Sequence, residues 1–173
     1  MNIAKAKRLK RSFFNRPTLQ VAEALLGKVV VFNGQYGIIT ETEAYFGDDP
    51  ASHAAKGETP RTKLMFGEAG HAYVYLIYGM YYCLNFVTEK KGFPAAVLIR
   101  GVQLLDKTNV HLNGPGKLCR YFGITKEQNG VDIIESKDLY VLDIKKTCKF
   151  SVSPRIGIKV GLDKHWRFLA IES

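Results

Sequence analysis

Cysteine is scarce, with three among 173 residues. Cys83, Cys119 and Cys148 are odd in number, far apart and without a C-x-x-C pair. That spacing argues against a disulfide framework and a zinc site, and favours a reducing intracellular compartment. Long uncharged apolar runs are missing as well. The nearest approach, AYVYLIYGMYYCLNFVT, is crowded with Tyr and turn residues and does not read as a membrane span. The basic opening MNIAKAKRLKRSFF is followed by neither an apolar stretch nor a small-residue cleavage site, so no secretory signal is expected. Repeats, low-complexity tracts and dividing linkers are absent from the sequence. At roughly 150 residues per domain, one domain is expected.

Acidic residues are outnumbered. The 25 Lys+Arg against 16 Asp+Glu leave a net charge of +9, which suits a polyanionic partner such as nucleic acid or an acidic membrane surface. With 46% hydrophobic and 12% aromatic residues, the chain has the material for a packed core. Residues 1–12 read as a mobile basic arm and residues 13–173 as the folded domain. After Pro17, Leu19, Ala22, Leu25 and Leu26 recur at helical spacing until Gly27. Val29 to Phe32 and Tyr36 to Tyr45 then read as strands joined by an Asn33-Gly34 turn. Residues 46–70 form a long loop with one helical turn near Arg61 to Phe66, a length more often functional than idle.

Ala72 to Ile77 and Tyr81 to Val87 make a second hairpin, tipped by Tyr78-Gly79-Met80. Further strands are expected at Ala95 to Val102, Leu139 to Ile144, Arg155 to Val160 and Trp166 to Ile171, with a short helix over Lys117 to Phe122. Hairpins outnumber crossovers. The expected fold is therefore mixed α/β (α+β), a single domain around a curved, mostly antiparallel β-sheet with peripheral helices.

Three features carry chemistry. On a strand, Glu41, Glu43 and Tyr45 share a face, together with Ile39. That face is either a solvated acidic edge or the seat of a carboxylate tuned by partial desolvation to act as a general base. Arg100 interrupts the apolar strand Ala95 to Val102, so its guanidinium must meet a carboxylate or a polar cavity, with Glu43 a candidate partner. Tyr73, Tyr75, Tyr78, Tyr81 and Tyr82 fall within ten residues, as core aromatics or as surfaces on which bases stack. Tyr78 stands apart, because a hairpin tip gives it no core to enter. His53 in the long loop and Asn85 in an apolar strand are weaker signals. Asn113-Gly114-Pro115-Gly116-Lys117 fits a phosphate contact or a plain turn.

Taken together and in order, these strings resemble the 3-methyladenine (alkyladenine) DNA glycosylase family. The match runs through Thr40-Glu41-Thr42-Glu43-Ala44-Tyr45, Thr59-Pro60-Arg61-Thr62, and His71 to Asn85. It continues through Val97-Leu98-Ile99-Arg100, Asn113 to Cys119 and Pro154-Arg155-Ile156-Gly157. It extends from about Phe13 to the C-terminus and is closest to the compact bacterial-type form.

The resemblance implies a monofunctional enzyme of base excision repair. Such an enzyme flips alkylated or deaminated purines, 3-methyladenine among them, out of double-stranded DNA. It hydrolyses the N-glycosidic bond with an activated water. Glu43 matches the general base and Arg100 the residue that helps hold the water. Tyr45, His53 and Tyr75 match the base pocket, Asn85 the amide that crowds out guanine, and Tyr78 the residue that fills the gap in the duplex. No metal or organic cofactor is implied, and no zinc-deaminase signature H-x-E with a later P-C-x-x-C is present. Lysine is missing from the Glu43 strand and the Tyr-rich hairpin, so Schiff-base lyase activity is not expected. A monomer without membrane association is expected, in the cytoplasm or nucleoid of a bacterium or the nucleus of a eukaryote. Two rival classes are a non-catalytic nucleic-acid-binding module and a lipid-surface protein using residues 1–12.

Overall fold

In the computed structural model, which describes residues 3–171, ten strands join one curled, antiparallel half-barrel sheet. They are β1 (Lys7–Arg8), β2 (Val29–Phe32), β3 (Gln35–Phe46), β4 (Ala72–Ile77) and β5 (Tyr81–Val87). After these come β6 (Ala95–Leu104), β7 (His111–Asn113), β8 (Leu139–Asp143), β9 (Lys149–Ser153) and β10 (Arg167–Ile171). Three α-helices flank them: α1 (Arg11–Phe14), α2 (Thr18–Leu25) and α3 (Pro115–Phe122). The sheet runs β1-β8-β2-β3-β6-β5-β4; β7 lies beside β6, and β9 joins through β10 to β3.

β3 is the axis of the molecule. Its first residues pair with β2, Glu41 to Glu43 pair with β10, and its other edge pairs with β6. With both edges occupied, the backbone of Glu41 to Glu43 is fixed from two sides, and so are the side chains it carries. β-Branched Val29, Val30 and Val31 and the aromatic Phe32 suit a pleated, buried strand, and all four are buried. Helix α2 lays Val21, Ala22 and Leu25 against Ile39, Ala44 and Ile99. The Thr42 hydroxyl donates to the Ala22 carbonyl at 2.9 Å, satisfying a hydroxyl that would otherwise be stranded in that core. Helix α3 adds Leu118, Cys119 and Phe122, and Gly123 (φ 75°) ends it in the left-handed conformation that glycine adopts freely.

The expected fold class stands, and three local readings are corrected. Arg155 to Val160 is not a strand. Gly157 and Gly161 take positive φ (75° and 71°), which bends the segment into a loop, and β9 pairs with β10 instead. Ile39 does not share a face with Glu41 and Glu43. The register of β3 against β6 shifts between Ile39 and Glu41, and such a bulge turns Ile39 into the core beside Ala44. The stretch expected to hang free as a mobile arm is docked from Ile3 onward. Lys7 and Arg8 pair with β8, Leu9 is buried, and Arg11 bonds Asp132 at 2.6 Å. Among the described residues no helix is long and apolar enough to cross a membrane.

Candidate active site

Glu41, Glu43 and Tyr45 leave β3 on one face. Glu43 is fully buried. Its Oε1 accepts the Ile156 N–H at 2.7 Å and lies 3.5 Å from Arg100 Nε, while its Oε2 accepts the Tyr45 hydroxyl at 2.7 Å. Burial pushes the Glu43 carboxyl up; Arg100, the Ile156 N–H and the Tyr45 hydroxyl oppose this without cancelling it. Burial also raises the Tyr45 phenol, with the adjacent Glu43 charge adding to the effect, so Tyr45 remains a donor.

The nearer partner of Arg100 is Glu41, whose Oε1 accepts Arg100 Nε at 3.0 Å and Arg167 Nε at 2.5 Å. Two guanidiniums thus share one carboxylate, and Arg100 stays within reach of Glu43 without being captured by it. Arg155, also buried, donates to the Ala44 carbonyl at 2.9 Å and to Asp49, and sits 4.6 Å over the Tyr45 ring. Burial alone would raise the Asp49 carboxyl; the Arg155 hydrogen bonds and the Ala51 N–H hold it below the usual carboxylate range.

A cavity of about 720 Å³ opens above this floor. Tyr45 and Arg100 line its base, whereas Glu43 lies directly beneath them. One wall carries His53, Tyr73 and Tyr75. The His53 ring stands edge-on to Tyr75 with centroids 4.3 Å apart, and its Nδ1 is 3.2 Å from the Tyr73 hydroxyl. Burial, and then the charge of Arg61, lower the His53 pKa, which keeps the imidazole neutral at neutral pH. Burial raises the Tyr75 phenol, and Cys83 on the same wall is pushed up to about 11. That thiol is therefore not a nucleophile near neutral pH. The buried Asn85 spends its amide nitrogen on the Tyr73 carbonyl at 3.1 Å, which fixes its orientation.

Tyr78 closes the rim from the hairpin tip, 76% exposed and at φ 53°. The structure thus brings six of the seven expected residues to one cavity, with Glu43 bonded to its floor. No acidic side chain lines the cavity among the described residues. Nor does any group of three or more His, Cys, Asp or Glu form a candidate metal site among them.

Sequence reasoning named Glu43 as a candidate partner for Arg100 and placed Glu41 on the same face, but did not pair Glu41 with Arg100 and gave no role to Arg167, Arg155 or the Ile156 N–H. The T-E-T-E alternation held a signal for Glu41. The pairing of Arg155 with Asp49 had none, because the two lie 106 residues apart along the chain.

The family model for methylpurine-DNA glycosylases matches residues 12–173. Three similar bacterial proteins each carry a provisional name as a 3-methyladenine DNA glycosylase. That of Sodalis glossinidius is 59% identical over 161 residues, 92% of this chain and 95% of its own. That of Rickettsia felis is 56% identical, covering 95% and 93% of the two chains. That of Ehrlichia chaffeensis is 54% identical, covering 93% and 92%. With the family model and these identities spanning most of its length, the chain belongs to the methylpurine-DNA glycosylase family of DNA-repair hydrolases, which act on N-glycosyl bonds in base excision repair.

Proposed function

We propose that this chain binds double-stranded DNA, draws a damaged purine into the aromatic cavity and hydrolyses its N-glycosidic bond with a water activated by Glu43. The observation that carries the reading is a fully buried carboxylate bonded to Tyr45 and Ile156 and approached by Arg100, all three of which line one aromatic cavity with room for an extruded base. A base inside a duplex is out of reach, so the nucleotide must be extruded at a cost of a few kcal/mol that a weakly paired lesion reduces. Tyr78 serves as the wedge that fills the vacated step.

The water oxygen then forms a bond to C1′ while the C1′–N bond breaks and its electron pair leaves with the base. The water proton goes to Glu43, whose negative charge also favours the oxocarbenium-like sugar. Arg100 steadies the water and Glu41 keeps Arg100 in place. Tyr45 and Tyr75 enclose the base between electron-rich faces that attract a cationic alkylpurine.

A cationic alkylpurine leaves as a neutral base and needs no proton. A neutral deaminated purine needs one. Asn85 crowds the pocket against guanine. Water is the nucleophile, so strand cleavage by a lyase step is not part of the reaction. The chain acts as an intracellular monomer and calls on no cofactor. Mass spectrometry of bases freed from methylated duplex DNA tests this: wild type should release 3-methyladenine and Glu43→Gln should not, while both bind the DNA. Equal release by the two proteins would defeat the role of Glu43. DNA binding without release by either would return the chain to the binding-module class.

A further inference from the structure

One buried ion pair takes no part in the reaction just described. The side chains of Asp49 and Arg155 are 1% and 0% exposed. They share a two-pronged contact in which Arg155 Nη2 donates to Asp49 Oδ1 at 3.0 Å and Nη1 to Oδ2. Stability alone is a poor reason for it, because desolvating two charges commonly cancels their attraction. Among the described residues Arg155 Nε has no hydrogen-bond partner, a further cost for a buried donor. The chain also shapes itself around the pair. A Cβ at Gly161 would stand 2.9 Å from Arg155 Nη2 and 3.1 Å from Asp49 Oδ1, at a backbone φ of 71°.

The pair lies between the two loops that wall the cavity. Asp49 Oδ1 accepts the Ala51 N–H at 3.2 Å, at the start of the wall that carries His53. On the other side, the residue after Arg155 supplies the N–H that bonds Glu43 at 2.7 Å. The guanidinium meanwhile bonds the carbonyl of Ala44, between Glu43 and Tyr45, and covers the face of the Tyr45 ring. We propose that Asp49 and Arg155 are positioning residues for Glu43, fastening the two cavity walls together so that the Ile156 N–H is aimed at the carboxylate and Tyr45 is held against it. The proposal rests on the general-base reading of Glu43 given above.

The groups facing Glu43 are Glu41 and Tyr45 on β3, Arg100 on β6, Arg167 opposite on β10, and Tyr75 and Cys83 on β4 and β5. Of these only Tyr45 touches the pair, through the Arg155 guanidinium over its ring; the charged groups Glu41, Arg100 and Arg167 keep their contacts when the pair is cut. Losing the Ile156 hydrogen bond then leaves the ionised form of Glu43 less favoured. The test is single-turnover release of 3-methyladenine from methylated duplex DNA as a function of pH, for wild type, D49N and R155K. Binding to a duplex with an abasic-site analogue and urea denaturation are measured in parallel.

Both variants should lose roughly 10- to 100-fold in plateau rate through misplacement of the carboxylate. Their acid limb should move to higher pH, and analogue affinity should change less than the rate. Variants that are less stable yet keep the wild-type pH profile and rate would show the pair to be structural only and overturn the proposal. If a variant fails to fold, G161A displaces the pair without removing a charge. It should give a smaller shift of the same sign, and a profile superimposable on wild type overturns the proposal there too. Wild type that releases no base overturns the glycosylase reading together with this one; an unshifted profile in an active enzyme overturns this one alone.

Discussion

The floor of the cavity and its rim break opposite rules. Behind the lining on the floor side, Glu41, Glu43, Asp49 and Arg155 are charged and buried. On the rim, Tyr78 and Tyr81 are aromatic and exposed. Ordinary packing would exchange the two sets. The difference separates two tasks: a buried charge is strong because water cannot screen it, and an exposed aromatic is useful because something else will cover it. The floor is built for a chemical step and the rim for a partner that arrives from outside.

Substitutions on each side sharpen that division, and the largest effect falls on the floor. E43Q keeps the shape of the carboxylate and loses its basicity, so base release should slow by about 10²- to 10⁴-fold. Its affinity for lesion-bearing duplex should stay within a few fold. A comparable fall in both would mean that the floor also binds, and the division would fail. The rim gives the converse. Y78A should weaken binding of lesion-bearing duplex by roughly 10- to 100-fold, the loss of about 1–3 kcal/mol of stacking. Its release rate from DNA already bound should change far less. Single-turnover kinetics at saturating enzyme separates the two terms.

The next effect is on stability, and its sign follows from linkage. The folded Glu43 holds its proton more tightly than the unfolded side chain, because its pKa is raised by burial. That group therefore costs stability progressively as pH rises from the ordinary carboxylate range through its raised folded value, and costs nothing below that range. E43Q should accordingly be more resistant to urea than wild type at neutral pH, with the gap closing in acid. Asp49 works the other way. Its folded pKa is lowered, so its contribution is present above the ordinary carboxylate range and is lost as pH falls through the folded value. D49N should flatten acid unfolding where E43Q sharpens it. The same raised pKa makes wild-type base release climb with pH through the Glu43 titration.

Much of this was legible in the sequence, for reasons that differ by residue. Tyr78 was legible because a hairpin can be read locally, and a large side chain at its tip has nowhere to bury. Glu43 and Tyr45 were legible as a pair because strand alternation is fixed by the pleat. Alternation also misled, at Ile39, since a bulge adds a residue that no composition announces. The Arg155–Asp49 pair was illegible because it is made by the meeting of two distant loops. Arg155 was read as strand because Ile156, Ile158 and Val160 alternate, although Gly157 and Gly161 had already bent the chain. Order along the chain is a good guide within one hairpin and a poor one between loops.

The smallest expected effect compares two turns of the same kind. Asn33-Gly34 joins β2 to β3 with φ of 48° and 77°, and Tyr78-Gly79 opens the three-residue link from β4 to β5 with φ of 53° and 63°, closed by the Met80 N–H on the Ile77 carbonyl. Both have positive φ at two central residues, as a type I′ turn requires, and Asn-Gly is a preferred pair for it. Tyr is not: a side chain without a short polar group to bond its own backbone costs roughly 1–2 kcal/mol in the left-handed region. The first turn is thus chosen for folding and the second is held against its local preference.

N33A should therefore lower stability by roughly 0.5–1 kcal/mol and leave base release and lesion binding alone, whereas Y78N should raise stability by a similar amount and weaken lesion binding as Y78A does. Urea denaturation, a binding titration and single-turnover release on the two proteins read these quantities. Opposite signs of the stability change mean that the tyrosine is kept for what it meets outside the protein. Equal signs would mean that Tyr78 packs within its own hairpin, and the rim would then have to be counted as part of the fold.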